Sequence, residues 1–175
     1  MENIVLKAME ERRSIRKYKS VQVEEEALQA ILRAGTYAAT GMNKQSPIMV
    51  VVQDAETIET LRKMNAGIMG NPDADPFYGA PTIIIVLADK NVSTHVEDGS
   101  LVMGNLMLAA HAVGVDSCWI HRAKQEFDSE EGKALLAKWG IEGDCYEGVG
   151  HCILGYRDCE YPDAKPRKEN YVYRV

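Results

Sequence analysis

No apolar run in this chain is long enough to cross a bilayer. The longest, Ile48-Met49-Val50-Val51-Val52 and Ile83-Ile84-Ile85-Val86-Leu87-Ala88, fall far short of the roughly 20 residues that a spanning helix needs. The opening Met-Glu-Asn runs into mixed charge, with no secretory apolar stretch and no transit peptide, so a cytoplasmic protein without a membrane partner is expected. Positive charge is not in surplus: 26 Asp and Glu against 20 Lys and Arg give a formal net charge of -6, which argues against a nucleic-acid partner. The four cysteines (Cys118, Cys145, Cys152, Cys159) form no C-x-x-C pair, and the four histidines (His95, His111, His121, His151) form no H-x-x-x-H pair. A zinc ribbon, a redox dithiol and a bound metal are therefore not expected, and the thiols should be reduced. Both Gly-rich phosphate cradles, G-x-G-x-x-G and G-x-x-x-x-G-K-[ST], are missing. Any phosphate must be held by side chains. Linkers, repeats and low-complexity tracts are absent too, and 175 residues suit one domain with a substantial core.

Hydrophobic spacing and capping residues predict a succession of helices and strands. Apolar positions at Ile4, Leu6, Ala8 and Met9 predict a helix over about Asn3 to Glu11. A second runs from about Val23 to Arg33, with Glu24, Glu25 and Glu26 at the positive end of its dipole and Gly35 beyond its end. Ile48 to Val52 reads as a buried strand, and Asp54 caps a helix to about Met64. The Gly- and Pro-rich stretch from Asn65 to Pro81 reads as a long functional loop, a substrate-facing lid carrying Phe77 and Tyr78. Thr82 to Ala88 is a central strand. Glu97 to Val113 is a long helix capped by Asp98 and apolar on most faces, which predicts burial in the domain or in an interface. Strands at Val115 to Ile120 and Gly148 to Leu154 bracket a helix at about Ser129 to Trp139. The alternating tail Tyr171-Val172-Tyr173-Arg174-Val175 has strand character and no hairpin partner, which suits pairing with another subunit. The order of elements predicts an α/β or α+β sandwich.

Two basic clusters stand out against the acidic background. Arg12-Arg13-Ser14-Ile15-Arg16 puts three guanidinium groups and a hydroxyl into five residues, and Lys165-Pro166-Arg167-Lys168 lies near the other end. Guanidinium forks match phosphate oxygens bidentately, so a phosphate monoester is the first ligand to consider. By itself such a run reads as a solvated charge run at a helix end, and only the rest of the chain changes that. The loop Thr40-Gly41-Met42-Asn43-Lys44-Gln45-Ser46-Pro47 gathers amides and hydroxyls beside a glycine, and reads either as a turn or as a site for the edge of a heterocycle. Cys118 and His111 read as interior residues, and Asn105 as bonded to a nearby carbonyl or across a dimer.

Taken in order, an R-R-S-I-R-x-Y run, an N-x-Q loop before the first strand, a G-A-P before the second, the helix ending in N-L-M-L-A-A-H-A-V-G-V-D-S-C-W-I, a G-Y and a late P-R-K resemble the nitroreductase family of FMN-dependent NAD(P)H oxidoreductases, in its short single-domain form. The resemblance runs from Ala8 to Lys168. It implies an α+β sandwich with a central, mainly antiparallel sheet flanked by helices. The whole chain, 1–175, would be one FMN-binding domain, joined in an intertwined homodimer with a C-terminal arm at about 160–175 reaching the partner subunit. Each subunit would hold one FMN at the interface. Arg12, Arg13, Ser14 and Arg16 would bind the flavin phosphate and ribityl chain, and Lys165 and Arg167 would close on the same phosphate. Thr40, Gly41, Asn43 and Gln45 would come from the partner, and Asn65 would read the pyrimidine edge. The backbone of Trp119, Ile120, His121 and Arg122 would face flavin N5.

That last segment departs from larger relatives, which carry P-x-E-G where this chain has Trp119-Ile120-His121-Arg122. His121 and Arg122 add positive charge there and bear on substrate preference. The function expected from the resemblance is ping-pong hydride transfer from NADH or NADPH through FMN to a small-molecule acceptor such as a nitroaromatic or quinone. No side chain is assigned as catalytic, because the flavin carries the chemistry. The alternatives are a flavoenzyme of the same fold with another reaction (reductive dehalogenase, enoate reductase or flavin-handling enzyme), or a non-enzymatic binder of a phosphorylated ligand.

Overall fold

The computed structural model describes residues 3–175. Its elements are α1 (Ile4–Glu11), α2 (Glu25–Thr36), β1 (Pro47–Val52), α3 (Ala55–Ile68), β2 (Thr82–Asp89), α4 (His95–Ala112), β3 (Asp116–Ile120), α5 (Ala123–Asp128), α6 (Glu130–Lys138) and β4 (Tyr146–Gly155). The four strands form one sheet in the order β1-β2-β4-β3, and every pairing is antiparallel. Helices cover both faces, as the α+β expectation requires.

Strand β2 lies inside the sheet, and Ile83 through Ala88 are fully buried. Period-two alternation still sorts its residues. Ile83, Ile85 and Leu87 point into a layer with Phe77, Phe127 and Leu136. Ile84 and Val86 point into the other, with Leu28, Ile31, Met103 and Leu106 from α2 and α4. A register shift between Val86 and Leu87 faces the Gly148–Gly150 stretch of β4. Gly148 is needed there because α5 seats directly on the strand: a Cβ at this position would come within 2.3 Å of the Ala123 carbonyl oxygen.

Local signals set most of the helix ends. Asn3 caps α1 through bonds from the Val5 and Leu6 amides, Asp54 caps α3 through Thr57, and Ser129 caps α6 through Gly132. Two expectations need correction. Helix α3 continues to Ile68, so Asn65 is helical and buried rather than the start of a loop. Helix α4 begins at His95, which puts Asp98 inside the first turn instead of at the cap. The tail Tyr171 to Val175 forms no strand within the chain and lies exposed.

The remaining connection, 69–81, is tied down as well. The Asp75 carboxylate accepts from the amides of Phe77 (2.9 Å) and Gly79 (2.6 Å), and Arg62 donates to the Ala74 carbonyl at 2.5 Å. Phe77 turns inward to 1% exposure against His151, with ring centroids 5.3 Å apart, while Tyr78 stays on the outside. Phe77 therefore belongs to the core and not to a lid over a ligand, because its ring has nowhere else to bury its apolar surface.

Candidate functional site

Strand β3 is one edge of the sheet, and the cationic opening run lies along it. Ser14 bridges Ser117 in parallel, the Ile15 amide donates to the Ser117 carbonyl at 3.1 Å, and Tyr18 bridges Arg157. Covering an edge this way satisfies backbone groups that would otherwise invite pairing with another chain. Ile15 and Tyr18 drop into the core and anchor the run, leaving Arg16 exposed with no ion pair among the described residues. Arg12 is half-buried, and its Nη1 is cut off from solvent with no hydrogen-bond partner. Ser117 Oγ and Trp119 Nε1, on the adjoining strand, are likewise buried and unpartnered. Unsatisfied donors of this kind are uncommon in a finished interior. Trp119 Nε1 lies against Gly150 of β4, where a Cβ would fall 2.3 Å from it, so it faces the sheet and not its edge. At the edge itself Arg12, Ser14 and Arg16 offer guanidinium and hydroxyl donors, which fit a ligand rich in acceptor oxygens, the chemistry of a flavin phosphate and ribityl chain.

The other arginine of the run is differently engaged. Arg13 donates through Nη1 to the Glu10 and Arg12 carbonyls, and its amide donates to the Tyr161 hydroxyl at 2.9 Å. Tyr161 in turn donates to the Glu11 carbonyl, stacks on His111 and carries the Arg157 guanidinium 4.9 Å above its ring. This tyrosine, which sequence reasoning overlooked, fastens the start of the C-terminal arm to the opening run. Nothing local to it announces a partner 148 residues away. Beyond Tyr161 the arm is exposed. Among the described residues Arg167 bonds only the Lys165 carbonyl, and neither Lys165 nor Arg167 is joined to the opening run.

The polar loop is held from the far side of the sheet. Gly41 donates to Asp98 Oδ1 at 2.8 Å, and Ser46 and Thr94 donate to Oδ2. Burial alone would raise the Asp98 carboxyl, but these donors hold it below its ordinary value. Gly41 cannot be replaced without displacement, because a Cβ would fall 2.2 Å from Thr94 Oγ1. Asn43 and Gln45 both have positive φ and are exposed, with Thr40 accepting from the Gln45 amide. Loop and opening run share no hydrogen bond among the described residues. Asn105 bonds the Ala34 carbonyl, so it serves within the chain.

At the end of β3 the chain passes through Trp119 and Ile120 into the turn His121-Arg122, where Arg122 has φ 80 and ψ 1, the left-handed region. Asn65 is bonded to this turn. Its Nδ2 donates to the His121 carbonyl at 2.9 Å and to Glu126 Oε1, and its Oδ1 accepts from Arg122 Nε at 2.8 Å. With no exposed surface and both donors committed, Asn65 does not offer its amide to the edge of a flavin ring. The expected pyrimidine-reading role is corrected on that ground. Cys118 and Cys152 are buried; burial and the neighbouring Cys118 push the Cys152 thiol up to about 12, against the opposing Arg12 charge. Both are packing thiols.

The family model described as "Nitroreductase family" matches residues 9–156. An *Archaeoglobus fulgidus* protein with the provisional name NADH dehydrogenase/NAD(P)H nitroreductase is 33% identical over 141 residues, 78% of this chain and 76% of its own length. A *Methanothermobacter thermautotrophicus* protein of the same provisional name is 31% identical over 119 residues, 66% of this chain and 59% of its own length. Among solved structures, a *Bacteroides fragilis* nitroreductase crystallised with bound FMN superimposes with a TM-score of 0.91 at 28% identity, covering 99% of this chain and 100% of that one. A *Desulfitobacterium hafniense* nitroreductase with bound FMN gives 0.88 at 25% identity over the full length of both chains. By fold, by the run along the β3 edge and by these matches, the chain belongs to the nitroreductase family.

Proposed function

We propose that this protein is an FMN-dependent oxidoreductase of the cytoplasm that takes reducing equivalents from NADH or NADPH and passes them to a nitroaromatic, quinone or related acceptor in a ping-pong cycle. The observation that carries this reading is the convergence at the β3 edge. The orphaned Arg12 guanidinium, Ser14 and the exposed Arg16 follow the β3 edge, and the turn His121-Arg122 stands at the end of the same strand. When bound, the flavin supplies the hydride chemistry, and the protein supplies placement and electrostatics. Arg12, Ser14 and Arg16 would hold the phosphate and ribityl oxygens. The backbone from Trp119 to Arg122 would donate to the N5 side of the ring, where negative charge develops on reduction. Purified protein should be yellow, or become so with FMN, and should oxidise NADH or NADPH when a nitroaromatic or quinone is present. A colourless protein that FMN does not reconstitute would overturn the reading and favour a binder of some other phosphorylated ligand.

The working unit in this reading is a homodimer, with the chain as one domain, arm 160–175 on the partner, and Thr40, Gly41, Asn43 and Gln45 completing the partner's site. Helix α1 buries none of its residues, and Ile4, Val5, Leu6 and Met9 are exposed. Ile4 and Val5 border a groove of about 430 Å³ formed with Ala34, Leu108 and Ala112. Leu101, on α4, is 50% exposed. Apolar area of this extent on one side suits a permanent interface, which typically buries upwards of about 2,000 Å². Sedimentation should give a dimer at micromolar concentration; a stable flavin-bearing monomer would refute it.

A further inference from the structure

Behind the His121-Arg122 turn lie three polar side chains from three elements, Asn65 of α3, Glu126 of α5 and His151 of β4, all with no exposed surface. Glu126 Oε1 accepts from Asn65, and its Oε2 lies 2.9 Å from His151 Nε2. That second contact is close without the alignment of a linear hydrogen bond, and neither atom has another partner. The His151 ring is walled in by Phe77 and Phe127, with centroids at 5.3 and 6.3 Å. Enclosing a carboxyl, an imidazole and an amide among aromatic rings is costly, and apolar replacements of similar volume often serve stability as well or better. Stability is therefore a poor reason for such a trio.

What the trio does is visible at its outer end. Asn65 grips the turn on both sides of one peptide, taking the His121 carbonyl as acceptor and the Arg122 side chain as donor. Arg122 is a non-glycine residue in the left-handed region, a conformation that costs roughly 1–3 kcal/mol and persists only where its surroundings over-determine it. The Glu126 amide adds a bond to the Arg122 carbonyl at 2.9 Å. The direction of the turn's backbone amides is thus decided from beneath, by side chains that reach no solvent.

We infer that Asn65, Glu126 and His151 form a positioning relay that fixes the His121-Arg122 backbone and thereby tunes the reduction potential of the bound flavin. This rests on the flavin-facing role of that turn proposed above. None of the three is a catalytic residue, since each acts through the turn. Glu126→Gln retains an acceptor for Asn65 and a polar group toward His151, so it keeps the contacts while replacing the carboxyl. Asn65→Leu removes the grip at similar volume.

The test has one readout without flavin and one with it. In the flavin-free protein, amide hydrogen exchange at His121 to Ala123 should speed up about tenfold or more in Asn65→Leu, with little change in Glu126→Gln. With FMN bound, Asn65→Leu should shift the reduction equilibrium toward oxidised flavin about tenfold, about 30 mV for a two-electron couple. Glu126→Gln should stay near the parent potential, and FMN affinity should change little in either. Should Asn65→Leu not fold, Arg122→Lys removes only the Nε bond and should move both readouts the same way by less. Unchanged exchange in the flavin-free variants would overturn the relay whatever the flavin does. Faster exchange with an unmoved potential would overturn the tuning and trace the failure to the flavin-facing reading. A parent chain that does not bind FMN removes that reading first.

Discussion

Replacing Phe77 by alanine is expected to lower the unfolding free energy by about 3–5 kcal/mol, the range for deleting a buried phenyl ring. The ring is 1% exposed and packs on His151 in the same layer as Ile83, Ile85, Phe127 and Leu136. The void left behind cannot close readily, because Asp75 holds the Phe77 amide and Arg62 holds the segment just before it. The neighbouring Tyr78→Ala is the control: its ring is 38% exposed, and a change there should stay within about 0.5 kcal/mol. Urea unfolding monitored by tryptophan fluorescence distinguishes the two. A Phe77→Ala protein of parental stability with altered acceptor selectivity would return this residue to a lid.

Arg12→Ala should weaken FMN binding by about 2–4 kcal/mol, or roughly 30- to 1,000-fold in dissociation constant, through loss of a charge-assisted pair. The Arg12 guanidinium is half-buried and its Nη1 has no hydrogen-bond partner, so a phosphate at this edge would supply a bond that the chain alone does not. Arg16→Ala should act in the same direction, with a smaller effect because its side chain starts in solvent. Arg12→Lys should fall between Ala and the parent, retaining charge but not the planar fork. Arg13 is bonded to the backbone carbonyls of Glu10 and Arg12 at the end of α1, so Arg13→Ala should act on the stability of the run more than on affinity. Fluorescence titration of FMN measures all four. Equal dissociation constants in parent, Arg12→Ala and Arg16→Ala would remove the phosphate assignment.

Much of the secondary structure was legible because its signals are local. Asn3, Asp54 and Ser129 each cap the helix that their position announces, and the β-branched runs at Ile48 and Ile83 form the strands they suggest. The misreadings are local as well. Gly67 made α3 seem to stop early, yet the helix passes through it, because Leu61, Asn65 and Ala66 bury one continuous face. Helix α5 shows no period in the sequence: six residues hold too few apolar positions, and its place is set by the Ala123 backbone seating directly on Gly148 of β4. Asp98 looks like a cap by residue type. It sits one turn further in, since its carboxylate is drawn to the Gly41 amide, Ser46 and Thr94.

The class of fold and the cation-rich opening run can be read along the chain, since periodicity, capping and charge clustering are properties of neighbours. What those parts do to one another comes from their packing. That packing laid the opening run on the β3 edge, turned Phe77 inward, and took Asn65 away from ligand reading to grip a turn 56 residues distant through His121. It also brought His151 to Glu126, and Tyr161 to Arg13. The physical reason is that such pairings follow from sheet register and from how each helix seats on its face. A buried polar group is tolerated only where that seating supplies its partner, and the spacing of residues along the chain carries no record of which partner that is.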